Sequence, residues 1–224
     1  RVLVIGGQRF LQNDGRFRDR FPTDLAEEHL DGWTFFLRWR SPHQTVPHLG
    51  SIYKADLARS IEFYRENILS ADWESLRRLC LRGRVALLRR LAGVWNGHDA
   101  NASKALEIEP HLANLRVIEG PYEQALREGR GSWRLRLWRW DALQRHLGRY
   151  LDAAYSTGLP ASARAYTRAF MARVGQPAGA GLVVLCWATR PSLWSKRLLA
   201  LGGPGLLNAA RRVWHRLTWS RQTD

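Results

Sequence analysis

Val2-Leu3-Val4-Ile5-Gly6-Gly7 opens the sequence with four β-forming residues running into paired glycines. An apolar run too short for a stable helix, ended by residues that tolerate positive φ, reads as a buried parallel strand. In open α/β sheets, ligands bind at the carboxyl ends of such strands. The stretch therefore predicts a site in a loop made of Gly6, Gly7, Gln8 and Arg9.

Outward from it, strand and helix signals alternate. Asn13-Asp14-Gly15 marks a turn, and Pro22-Thr23-Asp24 is placed to cap a short helix through His29. Trp33-Thr34-Phe35-Phe36-Leu37 reads as a second strand, and Ser41 to Gly50, with two prolines and two histidines, as a loop. Helical spacing continues at Leu57, Ile61 and Tyr64, and again at Leu76, Leu79, Cys80, Leu87 and Leu91. Val94-Trp95-Asn96 reads as a short strand feeding a Gly97-His98-Asp99 turn, and Ser103 to Glu109 as a brief helix. Further strands are expected at Leu115–Ile118, Asp152–Tyr155 and Leu182–Trp187. Long helices are expected from Trp133 to Leu151 and from Ala161 to Val174. The alternation predicts an α/β fold: a Rossmann-like parallel sheet flanked by helices, over residues 1–188, with a basic amphipathic helical tail over 189–224.

Composition narrows the classes. A chain of 224 residues that is 45% hydrophobic and 25% charged is globular rather than disordered. The net charge of +15 comes almost entirely from arginine, since Lys54, Lys104 and Lys196 are the only lysines. A GC-rich genome accounts for arginine over lysine, but not for missing carboxylates. From Ala153 to Thr223, and again from Ser75 to His98, there is no Asp or Glu. A basic face that meets anions is the consequence. Cys80 and Cys186 are too few for a zinc site or a disulfide framework, which points to a reducing compartment. The sequence shows no signal-peptide pattern and no apolar run of the roughly 18–20 residues that span a bilayer.

Two chemistries fit the opening glycines. Val4-Ile5-Gly6-Gly7-Gln8-Arg9-Phe10-Leu11 resembles the start of short-chain, epimerase-type NAD enzymes, which would make the chain an NAD(P)-binding epimerase or reductase. That family needs a further glycine where this chain has Gln12, and its Tyr-x-x-x-Lys pair is missing. The second begins at Val94-Trp95-Asn96-Gly97-His98-Asp99-Ala100-Asn101-Ala102, where the chain resembles the N-terminal domain of retaining GT-B glycosyltransferases of the large family-4 type. Gly32-Trp33-Thr34-Phe35, Leu115-Arg116-Val117-Ile118-Glu119-Gly120 and Tyr150-Leu151-Asp152-Ala153-Ala154-Tyr155-Ser156 resemble further pieces of that domain in order, over roughly the first 185 residues.

The resemblance implies a glycosyltransferase, with His98 positioning the transferred sugar and substrate held by Gly6, Gly7, Gln8, Arg9, Asp99, Asn101, Ser156 and Thr157. It implies no cofactor and no metal. A nucleotide-sugar is the co-substrate, and a carbohydrate or lipid-linked molecule the acceptor. Family members hold the donor on a second Rossmann-like domain with paired glutamates. After Asp152 this chain has no glutamate and too few residues for such a domain. The resemblance thus covers the acceptor side only: either the chain is truncated, or it is one half of a split transferase with a donor-domain partner chain, or the fold has been turned to binding.

Eleven tryptophans, several beside arginine, complete the reading: Trp133-Arg134, Trp138-Arg139-Trp140 and Trp214-His215-Arg216. Indole and guanidinium together suit the headgroup region of a bilayer. They also suit single-stranded nucleic acid, for which the chain carries no recognised signature. The expectation is a peripheral protein on the cytoplasmic, anionic inner face of a membrane. A non-catalytic basic module for membrane or nucleic acid is the remaining alternative.

Overall fold

A computed structural model describes residues 1–11, 15–39, 48–96 and 106–189. The structure is mixed α/β, a mixed sheet flanked by helices. Two compact units divide the chain between Leu143 and Gln144.

The first unit is built on a five-stranded sheet. Its centre is β1 (Leu3–Leu11), paired in parallel with the long β5 (Arg84–Asn96). β3 (Glu27–Asp31) runs antiparallel on the far side of β5. The other edge of β1 is shared by two antiparallel strands, β4 (Ser51–Tyr53) against its first half and β2 (Phe17–Arg20) against its second. The expected parallel arrangement is met only at β1–β5. The rest follows from connection length. Five residues separate β1 from β2, with Gly15 at φ 78°, and so short a link forces the chain back antiparallel.

The glycines expected to end the first strand lie inside it. β1 continues through Gly6 and Gly7 to Leu11, with register shifts against β5 at this point. A Cβ on Gly6 would lie 2.7 Å from Ala92 Cβ, and one on Gly7 2.4 Å from the Phe21 ring. The missing side chains let β5 and Phe21 approach the strand. The expected close approach of a ligand gives way here to close approach by the protein itself.

Several short apolar runs expected as strands are helices. Trp33–Leu37 lies in α1 (Gly32–Arg38), because Asp31 caps it by accepting a hydrogen bond from the Thr34 amide at 2.9 Å. Gly32 seats the start of α1 on the end of α3 (Ala71–Cys80), where a Cβ would fall 1.6 Å from the Cys80 carbonyl oxygen. Residues 76–91 are not one helix: α3 stops at Cys80 and β5 begins at Arg84. The region expected as a helix from Asp56 is the shorter α2 (Ala55–Ser60). No helix forms between Thr23 and His29, where the chain bends into β3.

After α4 (Ile108–Ala113), Leu115–Ile118 opens α5 (Arg116–Arg127), which carries Pro121 inside. Proline has no N–H for the carbonyl four residues back, at Val117. Arg77 Nη1 donates to that oxygen at 2.9 Å, so the helix tolerates the proline. Leu76, Leu79 and Cys80 of α3 are buried with Val117, Ile118 and Ala125 of α5 in the helical part of the core.

The long helix expected from Trp133 is α6 (Trp133–Ser156), and it absorbs the strand expected at Asp152–Tyr155. Within the first unit Trp138 is buried, its indole N–H donating to the Trp39 carbonyl at 3.1 Å. In the second unit, Leu147, Leu151 and Ala154 are buried together with Ala163, Tyr166 and Phe170 of α7 (Pro160–Val174). Tyr166 stacks on Tyr150 at 3.7 Å between ring centroids, and its hydroxyl lies 2.9 Å from His146 Nε2. α8 (Gln176–Thr189) takes up the run expected as a last strand, and Gly179 packs against Met171 of α7. The tail expected over 189–224 lies outside the described residues beyond Thr189.

Candidate functional site

One corner of the first unit gathers an imidazole, a phenol and two further aromatic rings, within electrostatic range of a carboxyl. Asp72 stands in the first turn of α3, and the Ser70 carbonyl just before it accepts from the amides of Trp73 and Glu74 at 3.1 Å. The Ser70 amide donates to Asn114 Oδ1 at 3.0 Å, and Asn114 Nδ2 donates to Ser70 Oγ at 3.3 Å. The Asp72 carboxyl is half-buried. That loss of water raises its affinity for a proton above the ordinary aspartate range, against the opposing pull of the Trp73 amide and of His48.

His48 opens a single 3-10 turn, His48–Gly50, that packs on the sheet where β5 has Gly93. A Cβ on Gly93 would meet Leu49 at 2.8 Å, so this glycine admits the turn. His48 Nε2 lies 2.8 Å from the Tyr64 hydroxyl. Burial raises the Tyr64 phenol, and Asp72 and Tyr53 push it further in the same direction. The Asp72 carboxyl thus feels the charge of His48, and the Tyr64 phenol that of Asp72. Phe63 stacks on Tyr53 at 4.7 Å and meets Tyr64 edge-on at 4.8 Å. Tyr64 keeps half of its surface open.

The backbone here is bent out of its ordinary range. Glu62 and Tyr64 have φ of 51° and 65°, left-handed values that bulky residues rarely hold. Three bonds impose them. Arg78, buried in α3, donates to the carbonyls of Ile61 and Glu62, and the Tyr64 amide donates to the buried Ser75 Oγ at 2.9 Å. Arg78 is held in turn by the buried Glu74 at 2.6 Å. Gly120 leaves room for that carboxylate, since a Cβ there would lie 2.6 Å from Glu74 Oε1. An ion pair in the core thus fixes the turn that presents Tyr64 beside Asp72.

No family model matches the chain, nor does any curated protein or solved structure. The site stands on its own chemistry: a carboxyl of raised basicity, a hydrogen-bonded imidazole–phenol pair, and aromatic rings packed against that pair. Among the described residues no group of three or more His, Cys, Asp or Glu side chains is placed to hold a metal ion.

The residues singled out from sequence fall elsewhere. Gly6, Gly7, Gln8 and Arg9 come together, but as consecutive residues of β1 rather than as a ligand loop. Gln8 is buried. Arg9 spends its guanidinium across the strand pair, donating to both Asp19 oxygens at 2.7 and 2.8 Å and holding that carboxyl below its usual range. The turn that a dinucleotide pyrophosphate would need at Gly6–Gly7 does not form. Ser156 ends α6, Thr157 follows it in the turn, and both belong to the second unit. Their hydroxyls donate back to the carbonyls of Asp152 and Ala153 at 2.7 and 2.9 Å. His98, Asp99 and Asn101 lie outside the described residues. Sequence reasoning missed His48, Tyr53, Phe63, Tyr64 and Asp72, because they come from four short segments whose proximity only the fold creates. The available signal was the aromatic pair Phe63-Tyr64 shortly before an acidic helix start.

Proposed function

We propose that the chain acts on a carbohydrate hydroxyl, as the acceptor side of a glycosyltransferase, with Asp72 as the general base. The observation that carries this reading is the half-buried Asp72 carboxyl, of raised basicity and within electrostatic range of the hydrogen-bonded His48–Tyr64 pair, which itself contacts the Tyr53–Phe63 rings. Aromatic faces take the C–H face of a sugar ring, while carboxylate, imidazole and phenol take its hydroxyls. A base is most useful when its pKa has been moved toward neutrality.

In the step itself, an acceptor O–H gives its proton to the Asp72 carboxylate as the oxygen bonds to the anomeric carbon of a nucleotide-sugar. The bond from that carbon to the diphosphate breaks, and the nucleoside diphosphate leaves with the electron pair. His48, through the Tyr64 hydroxyl, orients the acceptor. The parallel β1–β5 pair is the part of the sheet in keeping with a Rossmann-like acceptor domain, and a donor domain on a second chain completes this reading.

Saturation-transfer NMR with a panel of mono- and oligosaccharides tests it, alongside nucleoside diphosphate release from nucleotide-sugars. The reading expects saccharide binding that Tyr53→Ala weakens at least tenfold. Silence to every saccharide, with a response to NAD(P) or to nucleic acid instead, would overturn it.

A further inference from the structure

A second surface of the first unit has no part in the Asp72 site. Trp33 and Leu37 of α1 and Trp133 and Leu137 of α6 line an open groove of about 400 Å³, together with Arg38 and Arg134. Trp133 is 66% exposed and Leu137 57%, although both are large apolar side chains on a regular helix. The wall contains no carboxylate. Asp31, next to this face in sequence, is committed to capping α1.

Cations frame the apolar strip. Arg134 lies 5.6 Å from the Trp133 ring centre and Arg130 lies 5.5 Å from that of Trp33. Arg136 is exposed on the same turns of α6, and neither it nor Arg134 has an ion pair among the described residues. Arg38 is held by Glu28 and Arg130 by Glu128, so the uncompensated charge lies at Arg134 and Arg136.

We propose that this face docks on the surface of an anionic phospholipid bilayer. The indoles of Trp33 and Trp133 settle at headgroup level, Leu37 and Leu137 enter the acyl boundary, and Arg134 and Arg136 meet lipid phosphate. The charge sign selects the partner, since a chain of net charge +15 is drawn to the anionic leaflet and held by each arginine near it. The aliphatic pair selects lipid over nucleic acid: a polyphosphate strand uses stacked rings and cations, but gains nothing from the exposed Leu137 and the half-buried Leu37 of the same groove. Among the described residues no helix is long and apolar enough to cross a membrane. The contact is therefore interfacial, and it does not depend on the reaction proposed for Asp72.

The test uses the full chain with vesicles of phosphatidylcholine containing about one-third phosphatidylserine, and with phosphatidylcholine alone. Sedimentation should show binding to the anionic vesicles that falls steeply with salt. The double variant Trp133→Ser, Leu137→Ser should bind at least tenfold more weakly, with an unchanged circular dichroism spectrum. Should that variant unfold, Arg134→Glu with Arg136→Glu decides by the same criterion. Binding of wild type and the folded variant to equal extents would overturn the proposal, as would no binding at low salt. So would a single-stranded oligonucleotide that binds the wild type and loses affinity in the same variants, because the face would then serve nucleic acid.

Discussion

Asp72 carries a cost that the folded chain bears for the sake of its site. Burial makes the native state hold the Asp72 proton more tightly than the unfolded chain does. Its contribution to stability is therefore complete below the unfolded carboxylate range, near pH ~3.9, and is lost as pH rises through the raised native value. Asp72→Asn removes that loss. Its thermal midpoint is expected to exceed the wild type's at pH 7 and to coincide with it near pH 3. A midpoint lowered equally at both pH values would show that the carboxylate is a structural partner. Gly6 tests the sheet in the same way. Gly6→Ala should destabilise by about 1–3 kcal/mol in urea titration, because its Cβ overlaps Ala92 and crowds the Arg90 carbonyl. The need for glycine at positions 6 and 7 was legible from sequence. Whether ligand or protein fills the vacated space was not, since β5 and Phe21 reach it from tens of residues away.

At the scale of elements, the α3 ion pair ties the helix core to the site. Arg78 and Glu74 are both almost fully excluded from water, and Arg78 also satisfies two backbone carbonyls. Removing one partner strands the other, so Arg78→Met should cost about 3–5 kcal/mol. The double variant Glu74→Gln, Arg78→Met should be less destabilised than the sum of the single changes, which a double-mutant cycle measures. Additivity would deny the pair its role. α6 and α7 were readable because their apolar residues keep helical phase over 24 and 15 residues. The runs at Trp33–Leu37, Leu115–Ile118 and Leu182–Trp187 were too short to show a phase. What decides two of them lies outside the run: the Asp31 cap for the first, and Arg77 reaching the Val117 carbonyl for the second. The parallel sheet was inferred from alternation, and alternation fails when the intended strands are helices.

For the molecule as a whole, charge and site pull in different directions. A net charge of +15 repels itself in the compact state, so modest salt should raise the melting midpoint, as differential scanning calorimetry would record. A midpoint that falls over the same range would mean that ion pairs such as Arg116 with Glu66 and Glu123 outweigh the repulsion. Excess arginine was plain in the composition, while its division between buried clamps such as Arg77 and Arg78 and the open Arg134 and Arg136 required the fold. The central claim is that Asp72 removes the proton from a carbohydrate acceptor. Its most direct measurement is acceptor-dependent release of nucleoside diphosphate from nucleotide-sugars, by the full chain supplied with a candidate donor domain, comparing wild type with Asp72→Asn. Once the donor-domain chain that this proposal requires is supplied, the account predicts a loss of about 10²–10⁴-fold in kcat with saccharide binding retained. An Asp72→Asn protein that turns over at the wild-type rate would contradict it.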